Sequence, residues 1–168
     1  MKPSRAAIAA MLLLLVTSAS FSGTTQKDKK NEPEMLIKAA RVLEEKPLAK
    51  DAKDIRRWAL EWIIATDKVS VTACSLLISG IDKKYKYEAD IFGQYTIGMA
   101  AFKLANPGKG GDEDAVQMAG IESALISYEA IIKEQPKATN SFLDELVTKR
   151  NHGELAAFAK QNNCKRQN

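Results

Sequence analysis

Histidine and cysteine are scarce in this chain of 168 residues, which has one histidine, His152, and two cysteines. His152 lies in "KRNHGE", where a helix-ending turn with Gly153 in the left-handed conformation explains it without catalysis. The sequence contains neither a nucleophile motif of the G-x-S-x-G type nor a C-x-x-C pair. We therefore assign no catalytic residue.

The glycine-rich segment "GKGGDED", residues 108–114, lacks the signatures of a phosphate or calcium loop. A nucleotide P-loop needs Ser or Thr after its lysine, but Gly110 follows Lys109. A calcium-binding loop that began at Asp112 would need Glu at its twelfth position, which is Ser123. The segment is predicted to be a solvated turn whose acidic residues begin a helix. We expect no metal and no cofactor.

Long apolar runs are also absent, apart from the 11 residues of Ala6–Val16. This run is much shorter than the roughly 20 residues of a membrane-spanning helix. It follows Lys2 and Arg5 and precedes the small residues of "TSASFSG", which is the order of a secretory signal peptide. We predict a signal peptide over residues 1–22 and a secreted or periplasmic protein without a stable membrane span after its removal. An uncleaved anchor or a buried helix is the alternative.

A strong net charge is missing from the predicted mature chain. The full sequence carries +4, and loss of Lys2 and Arg5 with the signal peptide leaves about +2, which steers a polyanion only weakly. Three lysines and two tyrosines are concentrated in Lys83–Tyr87, a combination that suits single-stranded nucleic acid. Because it is one short run, we interpret it as a connector before a helix, with an exposed lysine rim. We expect no nucleic-acid partner; an acidic protein segment or a phospholipid surface is left open.

The two cysteines, Cys74 and Cys164, both belong to the predicted mature chain. In an oxidising compartment an even pair is expected to form a disulfide. Closing a loop of about 90 residues would stabilise the fold by roughly 4–5 kcal/mol if the effect is the lost entropy of the unfolded chain. Two free thiols or a reactive cysteine are the alternative.

Apolar residues recur at helical spacing after residue 30. We predict an all-α fold of about seven helices in one domain, residues 32–168, after a disordered linker over 23–31. The segment "VSVTACSLLIS", residues 69–79, is ambiguous between strand and helix, and we interpret it as a helix because no second strand is available to pair with it. The other helices are predicted to begin at Asn31, Asp51, Tyr87, Asp112, Ser141 (with Asp144 in a capping box) and Glu154.

Two glycines, Gly98 and Gly120, lie inside the two longest predicted helices. A glycine inside a helix costs about 1 kcal/mol relative to alanine. The turn "NPGKGG" makes these two helices antiparallel, so we expect the glycines to allow a close approach of their backbones.

Several segments resemble the helices of tetratricopeptide repeats. "ALISYEAIIKEQP", residues 124–136, is similar to the second helix through Ala124, Tyr128 and Pro136, and "QYTIGMAAF" resembles the first helix through Ile97 and Gly98. "AARVLEEKP", residues 39–47, has a similar ending. The interval between the two helices is longer than in the 34-residue unit, and no clean period recurs. The resemblance implies a stack of antiparallel helical hairpins that binds peptides or another protein; an irregular bundle explains the same residues.

The leading functional hypothesis is an exported, non-enzymatic module that binds a protein or peptide partner. Its contact surface is predicted to include the segment 83–87 and the exposed side of the helix that begins at Tyr87. The residues named for it are Lys83, Lys84, Tyr85, Lys86, Tyr87 and Tyr95. One rival is a carrier of a small apolar ligand, held in a pocket among Trp58, Trp62, Phe92 and Phe102. A second rival is a hydrolase that uses two carboxylates. The sequence does not predict an oligomeric state.

Overall fold

Six α-helices account for the regular structure of the residues that the computed structural model describes, which are 26–74 and 79–162, with side chains from residue 31. The all-α prediction is confirmed, with six helices rather than about seven in this part of the chain, and it contains no strand. The helices are α1 (Gln26–Glu45), α2 (Ala52–Ala65), α3 (Glu88–Ala105), α4 (Glu113–Glu134), α5 (Ser141–Asn151) and α6 (Leu155–Gln161).

Helices α3 and α4 form a central antiparallel hairpin, joined by a turn that includes one 3₁₀ helix, Pro107–Lys109. A Cβ atom added to Gly120 would lie 2.8 Å from the backbone oxygen of Tyr95, and one added to Gly98 would overlap Ser123. The two backbones therefore meet at a distance that only glycine permits. The predicted close approach is confirmed.

The other helices cover this hairpin from two sides. α1 and α2 bury Leu36, Leu43 and Ala59 against α3, while α5 and α6 bury Leu143 and Leu155 against α4. The two apolar clusters meet at the hairpin, since α3 contributes Ile97 and Ala100 to one and Ile91 and Met99 to the other. Every remaining helix is thus positioned relative to α3 and α4.

Helix α1 begins at Gln26, within the stretch 23–31 that the sequence predicts to be disordered, so it includes Pro33 in its interior. Glutamine and lysine, which are good helix formers, dominate this extra turn. Just after this turn, Oε2 of Glu32 accepts a hydrogen bond from the indole nitrogen of Trp62 at 2.9 Å, which joins α1 to α2. The start predicted at Asn31 is therefore five residues late.

The interpretation of residues 69–79 as a helix is wrong for the described residues 69–74, which have no regular structure. Val69 and Cys74 are buried, and the residues between them alternate between exposed and partly buried. The side chains of the central hairpin satisfy this backbone. The amide of Cys74 donates to the hydroxyl of Tyr95 at 3.1 Å, and Nε2 of Gln117 donates to the carbonyl of Thr72 at 2.8 Å.

The helix caps agree with the sequence at α4 and differ at α5. Asp112 accepts a hydrogen bond from the amide of Ala115 at 3.1 Å, as expected of an N-cap residue. The α5 cap is Asn140, whose side chain accepts from the amide of Leu143 at 3.1 Å, rather than the predicted Ser141. Gly153 has the positive φ of 75° that the turn after α5 requires.

The predicted disulfide and signal peptide extend beyond the described residues. Cys74 is fully buried, and its sulfur lies 3.3 Å from the carbonyl oxygen of Asn162. Cys164 and residues 1–22 lie outside the described part of the chain, so the disulfide and the signal peptide stay predictions. Within the described ranges, none of the helices has the length and apolar character needed to cross a membrane.

Gly120→Ala is expected to lower the free energy of unfolding by about 1–3 kcal/mol, the usual cost of overpacking. Alanine would otherwise favour the helix, but here its methyl group meets a backbone oxygen that cannot move without separating α3 from α4. Chemical denaturation measures the change. Gly108→Ala is the control, because an added Cβ has no atom within 4 Å there and φ is ordinary. Equal stabilities of the two variants would contradict the role of Gly120.

Candidate functional site

The segment Lys83–Tyr87 lies immediately before α3, against the loop that follows α4. The hydroxyl of Tyr87 donates a hydrogen bond to Oε1 of Gln135 at 2.5 Å, and the hydroxyl of Tyr85 donates to the carbonyl of Ala138 at 2.9 Å. The two tyrosine rings pack edge to face with centroids 5.8 Å apart. These contacts hold the start of α3 beside the end of α4.

A pocket of about 650 Å³ opens between the two segments, lined by residues 84–87 and 135–139. Its lining includes three lysines, Lys84, Lys86 and Lys137, all exposed. Among the ion pairs of the described residues, none involves these three lysines. The Lys86 ammonium lies 4.9 Å from the centre of the Tyr87 ring, within the range of a cation–π contact. We call this cavity the lysine–tyrosine pocket.

The hydroxyl of Tyr85 is unsuited to proton transfer at neutral pH. Burial, with smaller contributions from the nearby Tyr87, Asp144 and Asp90, raises the pKa of Tyr85 to about 12. Its hydroxyl is also engaged with the backbone of Ala138. The tyrosine therefore offers a neutral aromatic ring to a ligand, and the positive charge of the pocket comes from its lysines.

Tyr95 does not belong to this site. Its side chain is fully buried, and its hydroxyl accepts from the Cys74 amide and contacts Oε1 of Gln117. Burial raises the pKa of Tyr95 to about 12. Of the six residues predicted for the contact surface, Tyr95 is thus a core residue, whereas Lys84–Tyr87 line the pocket and Lys83 is exposed beside them.

The predicted apolar pocket among four aromatic side chains is wrong, because these side chains line four separate depressions. Trp58 lies in a groove between α1 and α2, and Trp62 lies beside Glu32. Phe92 faces Leu60 and neighbouring apolar residues, while Phe102 lines the junction of α1, α3 and α4. Phe92 is 38% exposed.

A chain of buried polar groups, which sequence reasoning missed, connects α1, α3 and α4. Nε2 of Gln94 donates to the carbonyl of Ala40 at 3.1 Å and to the hydroxyl of Ser123 at 2.8 Å. Ser123 in turn donates to Oε1 of Glu44 at 2.6 Å. A glutamine in the apolar stretch "IFGQYTIGMA" was the available signal. These residues hold α1 on the hairpin.

A second buried polar contact, also missed, joins α2 to the start of α3. Arg56 is 7% exposed, and its guanidinium donates to Oδ1 of Asp90 at 2.7 Å and to the carbonyl of Pro47 at 3.3 Å. Periodicity alone placed Arg56 on no apolar face. Its contact with Asp90 helps to position the helix turn that follows the lysine–tyrosine pocket.

The described residues contain no group of three or more His, Cys, Asp or Glu side chains arranged to hold a metal ion. No protein-family model, curated protein or solved structure matches the chain. The resemblance to tetratricopeptide hairpins therefore stays a prediction.

Replacing Glu44 by glutamine is expected to weaken the dependence of stability on pH. Burial raises the pKa of Glu44 above 4.5, against the smaller lowering effects of the Ser123 hydrogen bond and the Arg41 charge. A raised folded-state pKa means that the stability from Glu44 is fully present below its unfolded pKa and is lost as pH rises through the folded value.

Unfolding free energies measured from about pH 4 to about pH 8 should therefore fall less steeply for Glu44→Gln than for the wild type. Glu34→Gln, which is exposed and also lies on α1, controls for the loss of one negative charge. If the wild type and Glu44→Gln show the same slope, the junction does not disfavour the charged carboxylate.

Proposed function

We propose that this protein is an exported, non-enzymatic helical module that binds an acidic segment of a protein or peptide in the lysine–tyrosine pocket. The observation that supports this most is the combination, on one concave surface, of the partly exposed Tyr85 ring and three lysines that form no ion pair with any described residue. The chain as a whole is only weakly basic. The local concentration of positive charge therefore distinguishes this surface.

The two kinds of side chain have different roles in this proposal. Tyr87 is buried at 4% exposure and supports the ring of Tyr85, which is partly exposed and offers apolar area that a peptide can cover. The lysine ammonium groups attract carboxylates and orient the segment. Exposed ion pairs are individually weak, about 0.2–1 kcal/mol, so several must act together. A segment with more than one carboxylate suits Lys84, Lys86 and Lys137 together.

The tyrosines are held in place before any ligand binds. Hydrogen bonds to Gln135 and Ala138 fix the hydroxyls of Tyr87 and Tyr85. A side chain that is already ordered loses less entropy on binding. The pocket is therefore suited to an extended segment whose carboxylates meet the lysines while its other atoms cover a rigid aromatic surface.

Export and a Cys74–Cys164 disulfide are part of the same proposal. The signal-like N-terminus supports export. The position of the Cys74 sulfur, 3.3 Å from a backbone atom of Asn162, two residues before Cys164, supports the pairing. A disulfide there would link the chain just after α6 to the 69–74 segment.

Removing two pocket lysines, Lys84→Gln with Lys137→Gln, is expected to weaken binding of a fluorescent Asp/Glu-rich peptide by about tenfold. Fluorescence anisotropy at low and at physiological salt measures the affinity, which should fall as salt is added. The control replaces two exposed lysines elsewhere, Lys53→Gln with Lys160→Gln. Equal loss in both variants, or equal wild-type affinity for a lysine-rich peptide, would sink the proposal.

Mass spectrometry of the native exported protein should find a chain that lacks about the first 22 residues and a linked pair of peptides containing Cys74 and Cys164. Reduction should lower the free energy of unfolding by roughly 2–5 kcal/mol, the usual cost of losing a native disulfide. Alkylation of both cysteines in the unreduced, denatured protein would show that they are not paired.

A further inference from the structure

Helix α1 has a second apolar stripe that does not face the core. Leu36, Ala40 and Leu43 point inward and are buried, whereas Met35 and Val42 are 47% and 42% exposed. With Ala39 between them, these residues follow the i, i+4, i+7 spacing of one helix face. The stripe lies along the groove between α1 and α2.

This groove, about 470 Å³ in volume, is lined on the α2 side by Ile55 and Trp58. Both walls are therefore mainly apolar, and the α2 wall includes a tryptophan. Isolated exposed apolar residues are ordinary, but a contiguous apolar groove rimmed by polar residues marks a contact surface. Tryptophan and methionine are also enriched at such surfaces.

The charges at the rim of this groove indicate which partner fits it. Lys38 lies on the α1 wall and has no carboxylate within 4.0 Å among the described residues. Asp54 lies on the α2 wall, and its pair with Arg57 is solvent-exposed, with side chains 69% and 62% accessible. An exposed pair of this kind is weak, so the Asp54 carboxylate can accept a second cation, while Lys38 on the other wall offers one. A partner must present the same two signs in reverse order.

A second copy of the chain meets this requirement by symmetry. In a two-fold contact the same patch is used twice, and an arrangement with the α1 wall of one copy against the α2 wall of the other forms every contact in duplicate. Each Lys38 then faces the Asp54 of the opposite copy, and the apolar stripe of each α1 covers the opposite Trp58. We propose that the α1–α2 groove is the interface of a two-fold symmetric homodimer.

The interface is separate from the lysine–tyrosine pocket, which is formed by residues 84–87 and 135–139. The two surfaces share no residue, so the dimer does not depend on the proposed peptide binding. The driving force also differs, because burial of apolar area dominates at the groove and charge dominates at the pocket.

Sedimentation equilibrium of the mature protein, from about 1 μM to about 1 mM, should show a reversible monomer–dimer equilibrium. Val42→Glu should raise the dissociation constant at least tenfold, because dimerisation would bury an unpaired carboxylate in the apolar centre. Ile126→Glu is the matched control, since Ile126 is, like Val42, a partly exposed β-branched residue on a helix, 37% accessible, and lies outside the groove. Circular dichroism establishes that both variants are folded.

A charge exchange tests the orientation. Lys38→Asp and Asp54→Lys should each weaken the dimer, because each creates like charges across the two-fold contact, and the double exchange should restore it. A dimer that Val42→Glu leaves unchanged, or single exchanges no weaker than the double, would overturn the proposal. A chain that stays monomeric while an apolar dye changes Trp58 fluorescence would also overturn it, in favour of a ligand groove.

Discussion

The contact between the α3 and α4 backbones at Gly98 and Gly120 is the constraint on which the remaining structure depends. Because a Cβ atom at either glycine would overlap the opposite helix, the two helices can meet in this register only. The register then brings the first residues of α3 beside the last residues of α4, where Tyr87 meets Gln135. The position of the lysine–tyrosine pocket thus depends on the packing at the two glycines, which lie more than two helical turns away from it.

Buried polar side chains extend this order from the hairpin to the elements around it. Gln94 bonds to the backbone of α1, Gln117 to the backbone of the 69–74 segment, and Arg56 joins α2 to Asp90 on α3. Each contact satisfies a group that would otherwise be costly to bury. The satisfaction is incomplete, since Nε of Arg56, Oε1 of Gln94 and Oγ of Ser127 have no hydrogen-bond partner. These residues therefore fix the relative positions of the elements they join, even though some of their own polar atoms lack a hydrogen bond.

The parts of the fold that sequence could predict are those governed by local rules. The starts of α2 and α4 follow from Asp51 and Asp112, and the glycine contact follows from two glycines inside antiparallel helices. The structure of the 69–74 segment could not be predicted, because the side chains that bond to its backbone lie far away in sequence. Tyr95 is 21 residues from Cys74, and Gln117 is 45 residues from Thr72. The same applies to the site. Its lysines and tyrosines were visible as a cluster, but its second wall, residues 135–139, becomes adjacent only through the hairpin.

The two concave surfaces differ in what they demand of a partner. In the lysine–tyrosine pocket, internal bonds occupy both tyrosine hydroxyls, so under the proposed function the pocket lysines would carry most of the polar recognition. Flexible lysines donate hydrogen bonds to carboxylates in many geometries. Such a site would select a segment by its negative charge more than by its exact sequence. The α1–α2 groove has one charge of each sign and an apolar centre, so it selects for shape and for the order of two charges. A surface of the first kind suits varied acidic partners, and a surface of the second kind suits a single one, of which the chain's own copy is the simplest.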